Sequence, residues 1–171
     1  MPRTRAAVPP PGAQPDVRSG KYLTFKLGAE EFGLRLIKVR EIMRIQQITA
    51  VPDTPDYLRG VMNLRGKVTP VIDLRQRLGL AAIEYTKRTC IVVVQVEGEA
   101  GAIVVGVVVD VVSEVVNLTP ANIDDTPDLG ANLDPHFILG MAKLKGKVKI
   151  LLDIDRVINA QEISGWDGLA V

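Results

Sequence analysis

Residues 54–78 read TPDYLRGVMNLRGKVTPVIDLRQRL, and residues 134–158 read DPHFILGMAKLKGKVKILLDIDRVI. At this offset of 80 positions seven residues are identical: Pro55 with Pro135, Gly60 with Gly140, Leu64 with Leu144, Gly66 with Gly146, Lys67 with Lys147, Val68 with Val148, and Asp73 with Asp153. Several other positions match one apolar residue with another, as Tyr57 matches Phe137 and Val71 matches Leu151. The chain therefore contains an internal repeat, and each copy is expected to form one structural unit.

The repeat continues toward the N-terminus at a different offset. At 73 positions, the matches are Gly33 with Gly106, Val39 with Val112, Glu41 with Glu114, and Ile42 with Val115. The change of offset implies a longer connection in the second copy, at about residues 117–133.

Strand signals occur at matching places in both copies. Residues 22–27, 32–36 and 90–96 are rich in β-branched or aromatic residues or alternate apolar with small or charged ones. Residues 103–116 contain so many valines that they predict two strands or one bent strand rather than a helix. In residues 36–45 the apolar spacing fits a helix or a strand, and we favour a turn followed by a strand.

Turns and short helices separate these strands. Arg65-Gly66 and Lys145-Gly146 predict tight turns. Residues 54–60 and 134–140 each begin with a capping residue and a proline and end in glycine, which predicts two short helices. Further helices are predicted after Asp73 and Asp153, which would cap them. The second is expected to be longer, with Ile154, Val157, Ile158 and Gln161 on one face.

Short strands with closely spaced turns predict a small closed barrel, and two copies predict two barrels. The expected organisation is a flexible proline-rich tail (1–20), one domain (21–163) and a C-terminal tail (164–171). Within the domain, one barrel would take about residues 21–83 and the other about 84–160. A groove at their junction and apolar outer faces would suit protein partners.

The composition argues against several classes of partner. Lys plus Arg is 21 and Asp plus Glu is 20, so the net charge of +1 gives no long-range attraction to nucleic acid or anionic membrane. The N-terminus lacks the apolar core of a signal peptide. The apolar run 91–116 carries four acidic residues, which argues against a membrane helix. We expect a cytoplasmic protein with no membrane insertion.

Signals for catalysis or cofactor binding are also weak. Cys90 and His136 are the only residues of their types, so a disulfide framework or a metal site is not expected. The chain has no Gly-x-Ser-x-Gly elbow and no phosphate-binding glycine loop. We expect a protein without catalytic residues, metal or cofactor.

Three segments resemble signatures of the CheW family: residues 32–42 (FGLRLIKVREI), 57–75 (YLRGVMNLRGKVTPVIDLR) and 106–115 (GVVVDVVSEV). With the segments around 139–141 and 151–155, the resemblance covers about Lys21 to Ile163. It implies a mainly β fold of two tandem, pseudo-symmetric, SH3-like barrels of five strands each, with short helices.

The resemblance also implies a function. CheW-like adaptors join the regulatory domain of the histidine kinase CheA to the cytoplasmic tip of chemoreceptors, and are recruited to receptor arrays at the inner face of the membrane. Because this chain shows no kinase, phosphotransfer or receiver region, it looks like the free-standing adaptor. By resemblance, receptor contact would involve Leu36, Val39, Glu41, Arg65 and Val112, and kinase contact would involve Gly60, Gly106 and Val115.

Each of these residues also has a plain structural explanation. Glu41 and Arg65 could be solvated surface charges, and Gly60 could be a helix stop. Val112 and Val115 could belong to the core. Two other functions remain open: an adaptor of a chemosensory pathway outside motility, such as one for pili or development, and a small barrel that binds nucleic acid.

Overall fold

The computed structural model describes residues 17–98, 101–125 and 133–159. In these ranges the strands are β1 (Gly20–Leu27), β2 (Glu30–Arg35), β3 (Val39–Arg44), β4 (Leu58–Leu64), β5 (Lys67–Asp73), β6 (Cys90–Gly98), β7 (Gly101–Val109), β8 (Val111–Leu118), β9 (Ile123–Asp124), β10 (Ile138–Leu144) and β11 (Lys147–Leu152). The α-helices are α1 (Leu74–Arg77) and α2 (Ile154–Val157), and single 3₁₀ turns occupy Leu36–Lys38, Pro120–Asn122 and Pro135–Phe137. The predicted mainly β fold is confirmed.

The valine-rich region forms two strands, as predicted. Strands β7 and β8 are separated at Asp110 and belong to different sheets. The ambiguous range 36–45 forms a 3₁₀ turn followed by β3, which confirms the favoured interpretation.

The two predicted tight turns are confirmed and share one backbone geometry. Arg65 and Gly66 have φ angles of 50° and 85°, and Lys145 and Gly146 have 53° and 78°. Two consecutive positive φ angles define the type I′ turn, whose twist matches that of the strands it joins.

The predicted short helices at 54–60 and 134–140 are wrong. Strand β4 already begins at Leu58 and β10 at Ile138, and only Pro135–Phe137 makes a single 3₁₀ turn. Gly60 lies inside β4, just after a shift in the strand register. A Cβ there would lie 2.0 Å from the carbonyl oxygen of Thr49, so this glycine permits a close backbone approach rather than ending a helix.

The predicted caps of the last helices are confirmed. Asp73 Oδ1 accepts a hydrogen bond from the Gln76 amide (3.3 Å), and Asp153 Oδ1 accepts one from the Asp155 amide (3.1 Å). The prediction that the second helix is the longer one is wrong, because α1 and α2 have four residues each. It ends because Ile158 takes an extended backbone conformation; Gln161 lies outside the described residues.

The strands form two sheets. The first sheet has the order β8-β1-β2-β11-β10-β9, and the second has the order β3-β6-β7-β5-β4. Neighbours are antiparallel except for the parallel pairs β2–β11 and β5–β7. After β3 the chain returns to β4 through mutual hydrogen bonds of Thr49 and Val61, and after β8 it returns to β10 as β9. Each sheet therefore curls back on itself, as in a small barrel.

The repeat seen in the sequence is also a structural repeat. In the first sheet Gly33 of β2 lies opposite Leu151 of β11, and in the second Gly106 of β7 lies opposite Val71 of β5. The offsets of 73 and 80 residues convert one pair into the other. The two sheets are therefore pseudo-equivalent at the level of strand register.

The predicted division into contiguous barrels, 21–83 and 84–160, does not match the strand pairing. Strands β1 and β2 of the first copy join β8, β10 and β11 of the second, whereas β6 and β7 of the second copy join β3, β4 and β5 of the first. The reason is that the chain crosses between sheets at Leu36–Lys38 and again at Asp110. The two copies thus exchange their first two strands.

Three apolar clusters hold the fold together. The largest packs the two sheets against each other and includes Phe25, Phe32, Ile72, Val94 and Val107. One smaller cluster lies within the first sheet around Tyr22 and Leu151, and the other lies within the second around Met62 and Ile91. Burial of residues from both copies in the largest cluster makes the two sheets one hydrophobic unit.

The N-terminal boundary differs slightly from the prediction. Most of the predicted tail 1–20, and all of the predicted tail 164–171, lie outside the described residues. Gly20 already belongs to β1. Arg18 pairs with Asp125 at 3.1 Å, and the Tyr22 hydroxyl donates to the Arg18 carbonyl (2.6 Å). Residues 18–20 are therefore part of the fold.

Candidate partner-binding surface

Two of the predicted receptor contacts, Glu41 and Arg65, lie together. Arg65 projects from the type I′ turn between β4 and β5, and Glu41 from β3. Arg65 Nη2 donates to Glu41 Oε1 at 2.8 Å, and Nη1 contacts Oε2. The Arg65 side chain is 72% exposed, compared with 28% for Glu41. The ion pair therefore fixes a guanidinium at the surface.

The pair also sets the charge states of both groups. The hydrogen bond from Arg65 lowers the pKa of Glu41 below its usual value; burial opposes this effect, and the Arg65 charge adds to it. The same hydrogen bond and the Glu41 charge raise the pKa of Arg65. Only one edge of the guanidinium faces Glu41, so its other edge can meet a partner carboxylate or carbonyl.

The other three predicted receptor contacts are half-buried at the crossings between sheets. Leu36 lies in the first crossing, Val39 opens β3, and Val112 lies near the start of β8 opposite Phe25. All three pack against the largest apolar cluster. Val112 belongs to the first sheet, whereas Glu41 belongs to the second. The side chains of Leu36, Val39 and Val112 thus line the margin of the core and add some apolar surface there.

Two of the three predicted kinase contacts cannot present a surface. Gly60 and Gly106 are both buried. A Cβ at Gly106 would lie 2.9 Å from Ile91 Cγ2, within the smaller cluster of the second sheet. These glycines therefore serve packing and close backbone approach, and any effect on a partner would be indirect.

Val115, the third predicted kinase contact, is exposed. Its exposure is 50%, and Ile42, its equivalent at offset 73, is 43% exposed. Val115 lies on β8 and Ile42 on β3, which are edge strands at equivalent places in the two sheets. The structure therefore offers two similar aliphatic contact points rather than one.

Sequence reasoning missed another pair of exposed aliphatic residues. Val68 and Val148 are 51% and 54% exposed, and each follows one of the type I′ turns. Their identity in the repeat was visible, but strand alternation alone did not reveal which face meets solvent. Ile37, in the first crossing, is 87% exposed. These residues add exposed aliphatic surface beyond the positions that the sequence nominated.

Other candidate chemistry is absent from the described ranges. No cluster of three metal-ligating side chains occurs in residues 17–98, 101–125 and 133–159. In the same ranges no helix has the length and apolar character needed to cross a bilayer. His136 is exposed in its 3₁₀ turn, and Cys90 is half-buried with a free thiol.

Comparisons with known proteins agree with this architecture. A family model described as "CheW-like domain" matches residues 21–162. The chain is 36% identical over 150 residues to a chemotaxis protein CheW of Klebsiella aerogenes, with 88% of each protein covered. It is 31% identical over 126 residues to protein FrzA of Myxococcus xanthus, covering 74% of this chain and 76% of that protein.

A solved structure shares the fold. The crystal structure of the scaffolding protein TtCheW from Thermoanaerobacter tengcongensis matches with a TM-score of 0.73 and 32% identity, covering 82% of this chain and 90% of that one. The sequence similarity, the paired sheets and the repeat all lead to the same conclusion: the chain belongs to the CheW-like domain family.

Proposed function

We propose that this protein joins a CheA-type histidine kinase, through the kinase's regulatory domain, to the cytoplasmic tip of chemoreceptors. Its general role, a coupling adaptor in chemotaxis, follows from its family and its relatives. In the finer proposal it acts without catalysis, in the cytoplasm, and is recruited to receptor arrays at the inner face of the membrane.

The observation that best supports receptor contact is the Glu41–Arg65 pair. A bidentate pair holds the guanidinium plane in one orientation, which reduces the side-chain entropy lost when a partner binds. The type I′ turn places this group 72% exposed at the end of a hairpin. Leu36 and Val39 lie a few residues before Glu41 in the same chain and add apolar surface near the ion pair.

The kinase is proposed to bind the aliphatic edge strands. Val115 on β8 and Ile42 on β3 are exposed at equivalent places, so each sheet offers a similar edge to a partner. The resemblance to the CheW family also implies that the regulatory domain of CheA is CheW-like, so that it would offer matching edges. Apolar contacts of this kind lose little free energy to salt screening.

The experiment compares two variants in matched turns. Arg65→Asp should abolish association with receptor fragments in a pull-down assay while leaving the melting temperature nearly unchanged, because Arg65 is largely exposed. Lys145→Asp, in the equivalent turn of the first sheet, is the control and should keep the association. If the Arg65→Asp protein still joined receptor and kinase as the wild type does, the receptor site would be wrongly assigned.

A second candidate is adaptor function in a pathway outside motility. It is supported by the similarity to protein FrzA of Myxococcus xanthus, a relative that is not named as a chemotaxis protein. Both candidates use the same surfaces, so the residues do not separate them. Co-purification of the kinase from the source organism, followed by its identification, would separate the two candidates. A kinase from outside the motility system would overturn the first one.

A further inference from the structure

The first crossing between the sheets is held by an ion pair from the other copy. Lys38 lies in the 3₁₀ turn that carries the chain from the first sheet to the second. Its Nζ is 2.8 Å from Asp155 Oδ2, at the start of α2. Asp155 Oδ1 also accepts a hydrogen bond from the Glu97 amide at 3.0 Å. The carboxylate thus ties α2 to the crossing of the first copy.

The second crossing is held in the same way, with the charges reversed. Asp110 lies where the chain returns from the second sheet to the first. Its Oδ1 is 3.0 Å from Arg75 Nε in α1, and its Oδ2 is 3.0 Å from Arg75 Nη2. Asp110 Oδ2 also accepts a hydrogen bond from the Gly28 amide at 2.7 Å. Here the helix supplies the cation and the crossing supplies the acid.

The two ion pairs occupy equivalent places in the repeat. The offset of 80 matches Arg75 with Asp155, and Asp110 lies one position before the residue that the offset of 73 matches with Lys38. Both pairs join a crossing of one copy to the helix of the other copy. The repeat therefore conserves the location of the contact but inverts its polarity.

This inversion distinguishes the observed arrangement from its simplest competitor. If each copy kept its own first two strands, Lys38 would face Arg75, and Asp110 would face Asp155. Both contacts would then join like charges. We propose that the two inverted ion pairs select the exchanged pairing of the copies over the arrangement in which each copy folds on itself.

Such selection is needed because the parallel strand pairs do not by themselves favour the exchanged arrangement over the self-folded one. In the exchanged fold, glycine lies opposite an aliphatic residue in both parallel pairs, Gly33 with Leu151 and Gly106 with Val71. The self-folded arrangement would again place each glycine opposite an aliphatic residue. The like-charge contacts would destabilise the self-folded arrangement, which packing alone does not do. Their side chains are 14% to 32% exposed, so solvent screens them only in part.

The test uses charge reversals that keep the native ion pairs. Arg75→Asp with Asp110→Arg preserves that pair in the exchanged fold. In the self-folded arrangement, however, it sets opposite charges against Lys38 and Asp155, so the penalty disappears. Adding Lys38→Asp with Asp155→Lys restores like charges in the competitor. The double and quadruple variants both keep the net charge of the wild type.

A disulfide reporter reads the pairing directly. Lys21 on β1 and Asn117 on β8 are exposed neighbours across the two copies. Lys21→Cys with Asn117→Cys, in a Cys90→Ser background, should form an intrachain disulfide only in the exchanged fold, because β1 would otherwise lie beside β3. The trapped fraction is measured after dilute refolding under oxidising conditions in urea near the unfolding midpoint, where competing arrangements are populated.

The double variant should lower the ratio of trapped to untrapped chains by about two- to fivefold for each ion pair, the range expected of partly exposed pairs. The quadruple variant should raise the ratio again above that of the double variant, although it also lacks the hydrogen bonds that Asp110 and Asp155 accept from the Gly28 and Glu97 amides. If the pairs acted only as local supports, the quadruple variant would be the worst of the three. That result, or a double variant that matches the wild type, would overturn the proposal. The inference does not depend on the identity of any partner.

Discussion

Arg65 and Glu41, 24 residues apart in sequence, form a bidentate ion pair that joins the β4–β5 turn to β3. The equivalent turn in the first sheet carries Lys145 with almost the same φ angle, 53° compared with 50°. The two turns therefore share a backbone and differ in the cation they present. This difference allows the structural and partner-binding roles of the turn to be separated.

Asparagine should replace either cation without loss of stability. Asn-Gly is the preferred pair for a type I′ turn, so Arg65→Asn and Lys145→Asn should each raise the melting temperature by about 1–2 °C or leave it unchanged. Arg65→Asn should nevertheless lose receptor binding, and Lys145→Asn should keep it. The measurements are thermal unfolding and a receptor pull-down assay. Equal receptor binding by both variants would contradict the role given to Arg65.

Alanine should be far more costly at Gly60 than at Gly66. A Cβ at Gly60 would collide with the Thr49 backbone, and the residue has a φ of 141°. Gly66→Ala meets no atom within 4 Å and strains only its φ of 85°. We expect a loss in the free energy of unfolding of at least about 3 kcal/mol for Gly60→Ala and about 1 kcal/mol for Gly66→Ala. Urea unfolding measures both, and similar losses would show that the close approach does not matter.

A buried ion pair between strands should be costly to break on one side only. Lys149 of β11 and Glu31 of β2 are 3.0 Å apart, with side chains 5% and 16% exposed. Lys149→Met should cost about 2–3 kcal/mol at neutral pH because it leaves the Glu31 carboxylate without its cation. Combining it with Glu31→Leu should recover most of the loss. Lys67→Met, at an exposed position on β5, is the control.

The pH dependence provides an independent check on the same pair. The hydrogen bond from Lys149 lowers the pKa of Glu31 below the ordinary value of 4.5, although burial opposes this. The pair's contribution should be complete above 4.5 and should disappear as the pH falls through the lowered pKa. Urea unfolding of wild type and Lys149→Met should therefore converge in acid. A difference that stayed constant with pH would exclude an ionic origin.

Tyr85 should ionise at a higher pH than an ordinary tyrosine. Burial disfavours the phenolate, and Asp73, whose Oδ2 is 3.2 Å from the hydroxyl, adds repulsion; together they raise the pKa to about 12, against the opposing charge of Arg59. The neutral phenol therefore adds stability below the ordinary value of 10.0, and this is lost as the pH rises to about 12. Ultraviolet titration of the wild type should show a tyrosine that ionises at high pH and that is missing from Tyr85→Phe. A tyrosine titrating near 10.0 in its place would contradict the burial.

The sequence was most informative about local structure. Consecutive turn residues, as in Arg65-Gly66, predicted the hairpins, and runs of valine predicted strands, because both signals depend on backbone preferences of neighbouring residues. The helix prediction at 54–60 failed because a capping residue, a proline and a glycine also suit a turn that leads into a bulged strand. The close approach of Gly60 to Thr49 is a tertiary contact, which local preferences do not encode.

Long-range pairing was beyond sequence reasoning. The repeat showed which strands are equivalent, but equivalence does not say whether β2 pairs with its own copy or with the other one. The same limit applies to the site: Glu41 and Arg65 were each nominated, but their ion pair was not. Lys149 appeared to be an ordinary charged residue in a strand, and its burial depends on Glu31, more than one hundred residues earlier.

The exchange of strands between the copies has an evolutionary consequence. A polypeptide carrying one copy alone could keep the exchanged pairing only by pairing reciprocally with a second identical molecule. In that pairing a chain of half this length would be a homodimer whose assembly depends on concentration. Joining two copies through residues 79–89 makes the same pairing intramolecular. Once joined, the halves were free to diverge, as Arg75 and Asp155 have done.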